Sequence, residues 1–374
     1  MMLQRIEASE LAIPFKAAFK HASAERHTMQ SLWVTVTDAN GERGYGEGCP
    51  REYVTGESIS SALAFVERHR ADWLANIQDV RALRHWVEQH AIAIDAHPAA
   101  WAAAELAFLD LFGKLQFVPV ERILEVPELR GRFQYTAVIG DRPLPLFAAQ
   151  LQQFLEVGFR TFKIKLAPDM QANREKAQAL SDAGVLGGAV RADANNLWRD
   201  PKTCIADLRS LPFQFVALEE PLQPGDFNGM AQIANALRIS IILDESVSRR
   251  DHLQIPSAQG QWIINCRVSK MGGLLRSLEL LQAAQKRGFG IIVGAHVGET
   301  SVLTRAALTL AQMAGERLIA QEGAFGTHLI VRDVAEPPLM FGAGGVIDLS
   351  ESDLASRPGL GLYVPVQRKQ TVKA

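Results

Sequence analysis

The sequence predicts an α/β protein: a closed parallel (β/α)8 barrel of the TIM type, preceded by an α+β domain. Two observations carry this. From Phe133 onward, short apolar runs alternate with helical patterns. They give eight candidate strands at Phe133–Ile139, Thr161–Leu166, Ala189–Ala192, Phe215–Leu218, Ile239–Leu243, Trp262–Val268, Gly290–Val293 and Leu318–Gln321. Three acids, Asp193, Glu219 and Asp244, each end one of three consecutive runs. They recur at intervals of roughly 25 residues, the length of one strand, one helix and two connections. Equivalent ends of neighbouring parallel strands would bring them together, and a charge at such a place is costly unless something pairs with it.

Before the barrel, Leu3 to Phe15 and Leu32 to Asp38 read as strands, and Asp38-Ala-Asn-Gly41 as a hairpin turn leading into Gly44-Tyr-Gly-Glu-Gly48. The polar stretch His21 to His27 and the segment Arg51 to Gly56 read as surface loops able to cover a barrel mouth. From Glu57 to Gly113 the pattern is helical, with the alanine-rich stretch Ala99 to Ala107. The expected division is therefore 1–132 for the α+β domain, 133–328 for the barrel and 329–374 for a tail that returns to the first domain. Gly44, Gly46 and Gly48 miss the G-x-G-x-x-G spacing, because Cys49 stands where a third glycine is needed. A dinucleotide site is not expected.

At 374 residues, with 48% hydrophobic and 21% charged positions, the chain is long enough for more than one compact domain. The formal net charge of −2, without blocks of either sign, argues against nucleic acid or an anionic membrane as partner. A small molecule is expected instead, together with further copies of the chain in a homo-oligomer. The N-terminus lacks a signal-like apolar core, and no apolar stretch approaches the roughly 20 residues needed to span a bilayer, so a cytoplasmic protein is expected. Cys49, Cys204 and Cys266 are widely separated and odd in number, which fits reduced thiols rather than a disulfide framework or zinc site.

The strand cadence extends both ways from the three acids. Lys163 and Lys165 lie two apart, hence on one face of a strand, and Lys270 follows Asp244 at the same interval. Taken singly, a strand-end acid often caps the next helix, as Asp193 with Asn195 and Asn196 could. Three in register, flanked by Lys165 and Lys270, point instead to a metal site with ammonium groups on either side. Oxygen-only ligands favour Mg²⁺, with Mn²⁺ as a substitute.

These residues carry a resemblance. Lys163-Ile-Lys165, Asp193-Ala-Asn195, Glu219-Glu-Pro221, Asp244-Glu245 and Lys270-Met-Gly-Gly273 resemble the enolase superfamily, in particular its muconate-lactonizing subgroup within the mandelate racemase/muconate lactonizing enzyme family. The likeness covers nearly the whole chain, including the Gly-Glu hairpin, Asp110-Leu-Phe-Gly-Lys114 and Pro358-Gly-Leu-Gly361. It implies a capping domain over the barrel, Mg²⁺ held by Asp193, Glu219 and Asp244, and acid/base roles for Lys165 and Lys270. Lys163 would contact the substrate carboxylate. Asn195, His21, Tyr53, His296, Glu299 and Glu322 are further expected substrate contacts, while Glu220 and Glu245 would support the ligands. The expected substrate choice lies in the segments with His21, Arg26 and Tyr53 and in Glu322 to Phe325.

The chemistry agrees with those roles. A hydrogen α to a carboxylate is very weakly acidic, so its removal needs the second negative charge of the enediolate stabilised as it forms. A cation and Lys163 would do so, and their charges would favour the neutral, proton-accepting form of Lys165. The expected activity is a metal-dependent isomerase or lyase of the muconate-cycloisomerase type. Its alternatives are a dipeptide epimerase or N-acyl amino acid racemase, and an o-succinylbenzoate-synthase-like dehydratase. The eighth strand decides little between them: Gly323 stands where muconate-lactonizing enzymes carry Glu, and Gln321-Glu322-Gly323 is not the Asp-x-Asp of dipeptide epimerases. A Schiff-base aldolase using Lys165 or Lys270 is the reading from a different class.

Overall fold

The computed structural model describes residues 3–21, 24–255 and 261–365, with backbone alone at 18–21 and 24–25. Three antiparallel strands open the chain in the order β1 (Leu3–His21), β2 (Ala24–Asp38) and β3 (Arg43–Gly48). The first hairpin is longer than the sequence suggests. Pairing resumes at Phe19 with Arg26 after a register shift beyond Pro14, so the polar stretch expected as a loop is strand as far as His21 and again from Ala24. Backbone pairing satisfies the main-chain groups of such a segment whatever its side chains are. The second hairpin turns as expected. Asp38 Oδ1 accepts from the backbone of Asn40 and Glu42 at 2.9 and 2.8 Å, and Gly41 takes φ 89°.

The alanine-rich helix Pro98–Gln116 packs directly on β3. A Cβ added at Gly44, Gly46 or Gly48 would lie 2.0, 1.9 or 2.0 Å from the carbonyl oxygens of Ala107, Ala103 and Ala99. The alternating glycines thus permit backbone-to-backbone contact, and the small helix residues opposite them complete it.

After β4 (Arg132–Gln134) comes the eight-stranded parallel sheet: β5 (Ala137–Ile139), β6 (Phe162–Lys165), β7 (Val190–Asp193), β8 (Ala217–Glu219), β9 (Ser240–Leu243), β10 (Trp262–Cys266), β11 (Gly290–Val293) and β12 (Leu318–Gln321), in sequential spatial order. A backbone hydrogen bond from Thr136 to Gln321, 2.8 Å, joins the last strand to the first and closes the ring. The first run read from the sequence is split. Its front half, β4, pairs with β13 (Val346–Asp348) of the tail, and only its end enters the barrel. The sixth run stops at Cys266 rather than Val268, because Val268–Met271 winds into a helical turn that ends at Gly272, φ 80°.

Inside the barrel Ala217, Ile242, Ile263 and Ile292 form an apolar cluster. Two residues further along the same faces stand Glu219 and Asn265, so the apolar plug underlies a polar layer at the carboxyl ends of the strands. The first sheet is tied to that end of the barrel. Glu47 accepts from the Thr300 hydroxyl at 2.6 Å and from Ser31 at 3.0 Å, Cys49 N–H donates to Ser269 Oγ at 2.8 Å, and Arg51 donates to the carbonyl of Val297 at 3.1 Å. The tail reaches back to the first helices: Gly359 N–H donates to the Val118 carbonyl and Val120 N–H donates to the Gly359 carbonyl, both at 2.9 Å, and Leu360 N–H donates to Asp110 at 2.8 Å. Cys49, Cys204 and Cys266 are free and buried. Among the described residues, no helix is long and apolar enough to cross a membrane.

Candidate active site

Adjacent parallel strands in register deliver the acids side by side. Lys165 of β6 pairs with Asp193 of β7, which pairs with Glu219 of β8, and Asp244 follows directly after β9. All three carboxylates are buried. Beneath them Glu220, forced to φ 39°, turns its carboxylate back to accept from Asp244 N–H at 2.7 Å, Ser246 N–H at 2.8 Å and Ser246 Oγ at 2.8 Å, which fixes the backbone that presents Asp244.

The cations are interleaved with these acids. The Lys163 ammonium lies 2.8 Å from Glu219, 3.2 Å from Glu322 and 3.5 Å from Asp193. Burial alone would lower its pKa, but Glu219, Glu322 and Asp193 together hold it above the ordinary lysine value. Burial pushes Glu219 up to about 8, with Lys163 opposing and Asp193 reinforcing. Asp244 goes the other way: burial opposes ionisation, yet Arg267 and then Lys270 and Lys163 keep its carboxyl well below the usual range. Glu322 also takes Arg191 at 3.3 Å, and Arg191 donates to Thr136 at 2.8 Å.

Lys165 stands at the rim, its ammonium donating to Asn195 Oδ1 at 2.8 Å and lying 3.8 Å from Asp193. Asn195 is held in a left-handed conformation, φ 44°, with its N–H on Asp193 Oδ1 at 3.1 Å. Lys270 reaches the site by another route than the strand cadence implied. It projects from the helical turn after β10, and its ammonium donates to both the carboxylate and the carbonyl of Asp244 and to the carbonyl of Asn265. The residue at the end of β10 is Arg267, which the sequence reading did not single out. Its guanidinium bonds Asp244 and lies 3.8 Å from Glu219. The stop of β10 at Cys266, encoded in the Gly272-Gly273 pair that ends the following turn, was the signal available for it.

The remaining expected contacts divide. His296, in the loop after β11, is buried with Nε2 unpartnered; burial, then Arg267 and Arg51, lower its pKa well below the ordinary value. Glu299 is occupied within that loop, accepting the His296 N–H at 2.7 Å. Tyr53 is exposed, with the Arg26 guanidinium 5.7 Å from its ring centre. The His21 side chain lies outside the described residues. Glu245, beside Asp244, has a buried Oε2 without a hydrogen-bond partner.

Among the described residues no three His, Cys, Asp or Glu are placed to enclose one ion, because Lys163 bridges Asp193 and Glu219 while Arg267 bridges Glu219 and Asp244. The donor chemistry nevertheless fits a hard divalent cation. Asp193, Glu219 and Asp244 offer oxygen alone and are buried side by side, and the one charge the structure sets against Glu219 Oε2 among the described residues is the Lys163 ammonium at 2.8 Å.

Comparison with known proteins places the chain in a family. The sequence profile described as Enolase C-terminal domain-like matches residues 146–367. The L-Lys-D/L-Arg epimerase of Methylococcus capsulatus is 28% identical over 96% of this chain and 98% of its own length. The substrate-liganded L-Ala-D/L-Glu epimerase of Bacillus subtilis superposes with TM-score 0.83 at 25% identity, covering 97% of this chain and 99% of that one. The dipeptide epimerase of Methylococcus capsulatus complexed with Mg and L-Arg-D-Lys superposes with TM-score 0.79 at 25% identity, covering 97% and 99%. These relatives are epimerases rather than the muconate-lactonizing enzymes that the motifs suggested. The chain belongs to the enolase C-terminal domain-like family and is a divalent-metal-dependent isomerase of the enolase superfamily.

Proposed function

We propose that the protein removes the proton α to the carboxylate of a small amino-acid-derived substrate, a dipeptide or an N-acylated amino acid, with Lys165 as the base. The observation that carries this is the placement of Lys165: it is a partly exposed ammonium at the rim, one strand from Asp193, whereas Lys163 and Lys270 are enclosed by acids and carbonyls. The substrate class is supported by the names of the relatives, which act on dipeptides or, in Bacillus cereus, on N-succinyl-L-Arg/Lys.

In this mechanism Asp193, Glu219 and Asp244 would hold Mg²⁺, which supplies positive charge for the enediolate as it forms. Neutral Lys165 takes the Cα proton, Asn195 orients the Lys165 amine, and Lys163 adds a buried positive charge at the carboxylate end. Two outcomes then diverge. Reprotonation from the opposite face is the epimerase or racemase outcome, favoured by the relatives. A one-sided outcome, as in a muconate cycloisomerase or an o-succinylbenzoate-synthase-like reaction, is favoured by Arg267 standing where a second base would be needed. An imine-forming aldolase has little support, since the three acids would then be idle.

The test is a panel of dipeptides and N-acyl amino acids incubated with the protein and Mg²⁺ in D₂O, read by loss of the α-proton NMR signal. Exchange in some member is expected. No exchange in any member, or borohydride-trapped adducts instead, would defeat the proposal.

A further inference from the structure

Two cations at the mouth keep some access to solvent. The Lys165 side chain is 24% exposed and Arg267 is 14% exposed, against 3% for Lys163 and 2% for Lys270. Their strands, β6 and β10, have three strands between them in either direction round the closed ring, so the two side chains face each other across the mouth. Arg267 continues the extended backbone of β10, φ −118° and ψ 121°, and lies two residues beyond Asn265, whose side chain reaches inward to Glu219 at 3.3 Å. Both therefore point into the barrel. Gly294 at the end of β11 makes room for them: a Cβ there would lie 2.1 Å from Asn265 Oδ1 and 3.1 Å from Arg267 Cγ. Arg267 Nε is buried without a partner, which leaves a donor unused. Arg267 also bonds Asp244, but with one of five N–H donors, whereas Lys270 spends all three of its donors on the Asp244 carboxylate and the carbonyls of Asp244 and Asn265.

We propose that Arg267, and not Lys270, faces the substrate from the sixth barrel strand, and that the α-proton is taken and returned on the Lys165 face alone. The inference rests on the half-reaction proposed above. A guanidinium offers five N–H donors and no acceptor, and it keeps its proton at any pH the protein tolerates. The Cα–H bond breaks, the proton goes to neutral Lys165 Nζ, and the electron pair enters the carboxylate as an enediolate whose charge meets Arg267. Lys165 can return the proton only to the face it left, so net isomerisation at this site needs a bond change elsewhere in the substrate, as in a cycloisomerase, and inversion at the α-carbon is not expected. Lys270 is then a positioning residue that acts through Asp244.

The test supplies each configuration of the α-carbon separately, as L,L- and L,D-dipeptides and as N-succinyl-L- and D-amino acids, with Mg²⁺ in D₂O. Deuterium is expected to enter one configuration at least about 10²-fold faster than the other, the scale of a positioned base. Lys270→Met should keep that preference, and Arg267→Lys, which supplies an amine able to accept a proton, should open exchange in the disfavoured configuration. Comparable exchange of both configurations by the parent protein, or selective loss of one on Lys270→Met, overturns the inference. If no member exchanges, the half-reaction itself has failed, and oxalate, a planar dianion, decides the role of Arg267 by calorimetric titration with Mg²⁺. Arg267→Gln should weaken oxalate binding about tenfold or more, the expected loss of a charge-assisted contact; unchanged binding overturns the inference.

Discussion

The Lys270 ammonium donates to Asp244 twice, to its carboxylate and to its backbone carbonyl, each at 2.6 Å, and so locks both the side chain and the main chain of the acid that ends the fifth barrel strand. A group held this way is suited to placing a ligand rather than to shuttling a proton. Removing one partner of a buried pair leaves the other charge uncompensated, at a cost of roughly 3–5 kcal/mol. Asp244 retains Arg267, so Lys270→Met should cost about 3 kcal/mol, the low end of that range. Urea unfolding of parent and variant measures it; a loss under about 0.5 kcal/mol, as at ordinary surface positions, would show that the pair does not hold the strand end.

A second prediction concerns β3. Gly46→Ala would drive a Cβ to 1.9 Å from the Ala103 carbonyl, with backbone on both sides and no flexible side chain to yield. We expect a loss of about 3 kcal/mol or more, the upper end for overpacking, with the first sheet lifted from the helix Pro98–Gln116. Gly41→Ala, with open space around the added methyl but φ 89°, should cost only the conformational strain of about 1 kcal/mol. Thermal unfolding of the two variants gives the comparison, and equal losses would contradict it.

Stability should also depend on pH through Glu105, which is fully buried and accepts from Leu275 N–H at 3.0 Å and Trp101 Nε1 at 3.1 Å. Burial raises its pKa from 4.5 to about 7. The folded state therefore binds the proton more tightly than the unfolded chain, and its contribution to stability is full below pH 4.5 and lost as pH rises through 7. Glu105→Gln, which cannot ionise, should gain on the parent protein by up to about 3 kcal/mol between pH 4.5 and 8. Urea midpoints at the two pH values test this, and a difference that does not change with pH would refute it.

Much of this was legible in the chain itself. The register of Asp193, Glu219 and Asp244 follows from a repeated strand-helix interval, and strand period alone puts Lys163 and Lys165 on one face. What escaped were features set by termination rather than by period. An apolar run does not mark where β10 stops, so reading it through Val268 carried the ring position on to Lys270, whereas the turn closed by Gly272 ends the strand in time for Arg267 to occupy it. Likewise nothing local separates β4 from β5, because β4 is defined by its distant partner β13. The length of the first hairpin was hidden for a related reason: backbone pairing carried a polar stretch that composition alone assigns to a loop.

The partial exposure of Lys165, with its ammonium 2.8 Å from Asn195 Oδ1, makes a separable prediction. Asn195→Ala should leave the fold intact and misdirect the amine, lowering turnover about tenfold to a hundredfold, less than loss of the amine itself. Activity on whichever panel member the parent protein exchanges, alongside a stability loss no larger than the strain of alanine at φ 44°, about 1 kcal/mol, checks it; undiminished turnover would detach Asn195 from the site.

The most direct test of the central claim is α-proton exchange by Lys165→Ala in D₂O with Mg²⁺, followed by NMR on the same carboxylate that the parent protein exchanges. The account predicts an exchange rate lower by about 10²-fold or more, the usual share of a positioned base, in a variant that unfolds at the same temperature as the parent. Exchange at the parental rate would contradict it, and would mean that another group removes the proton.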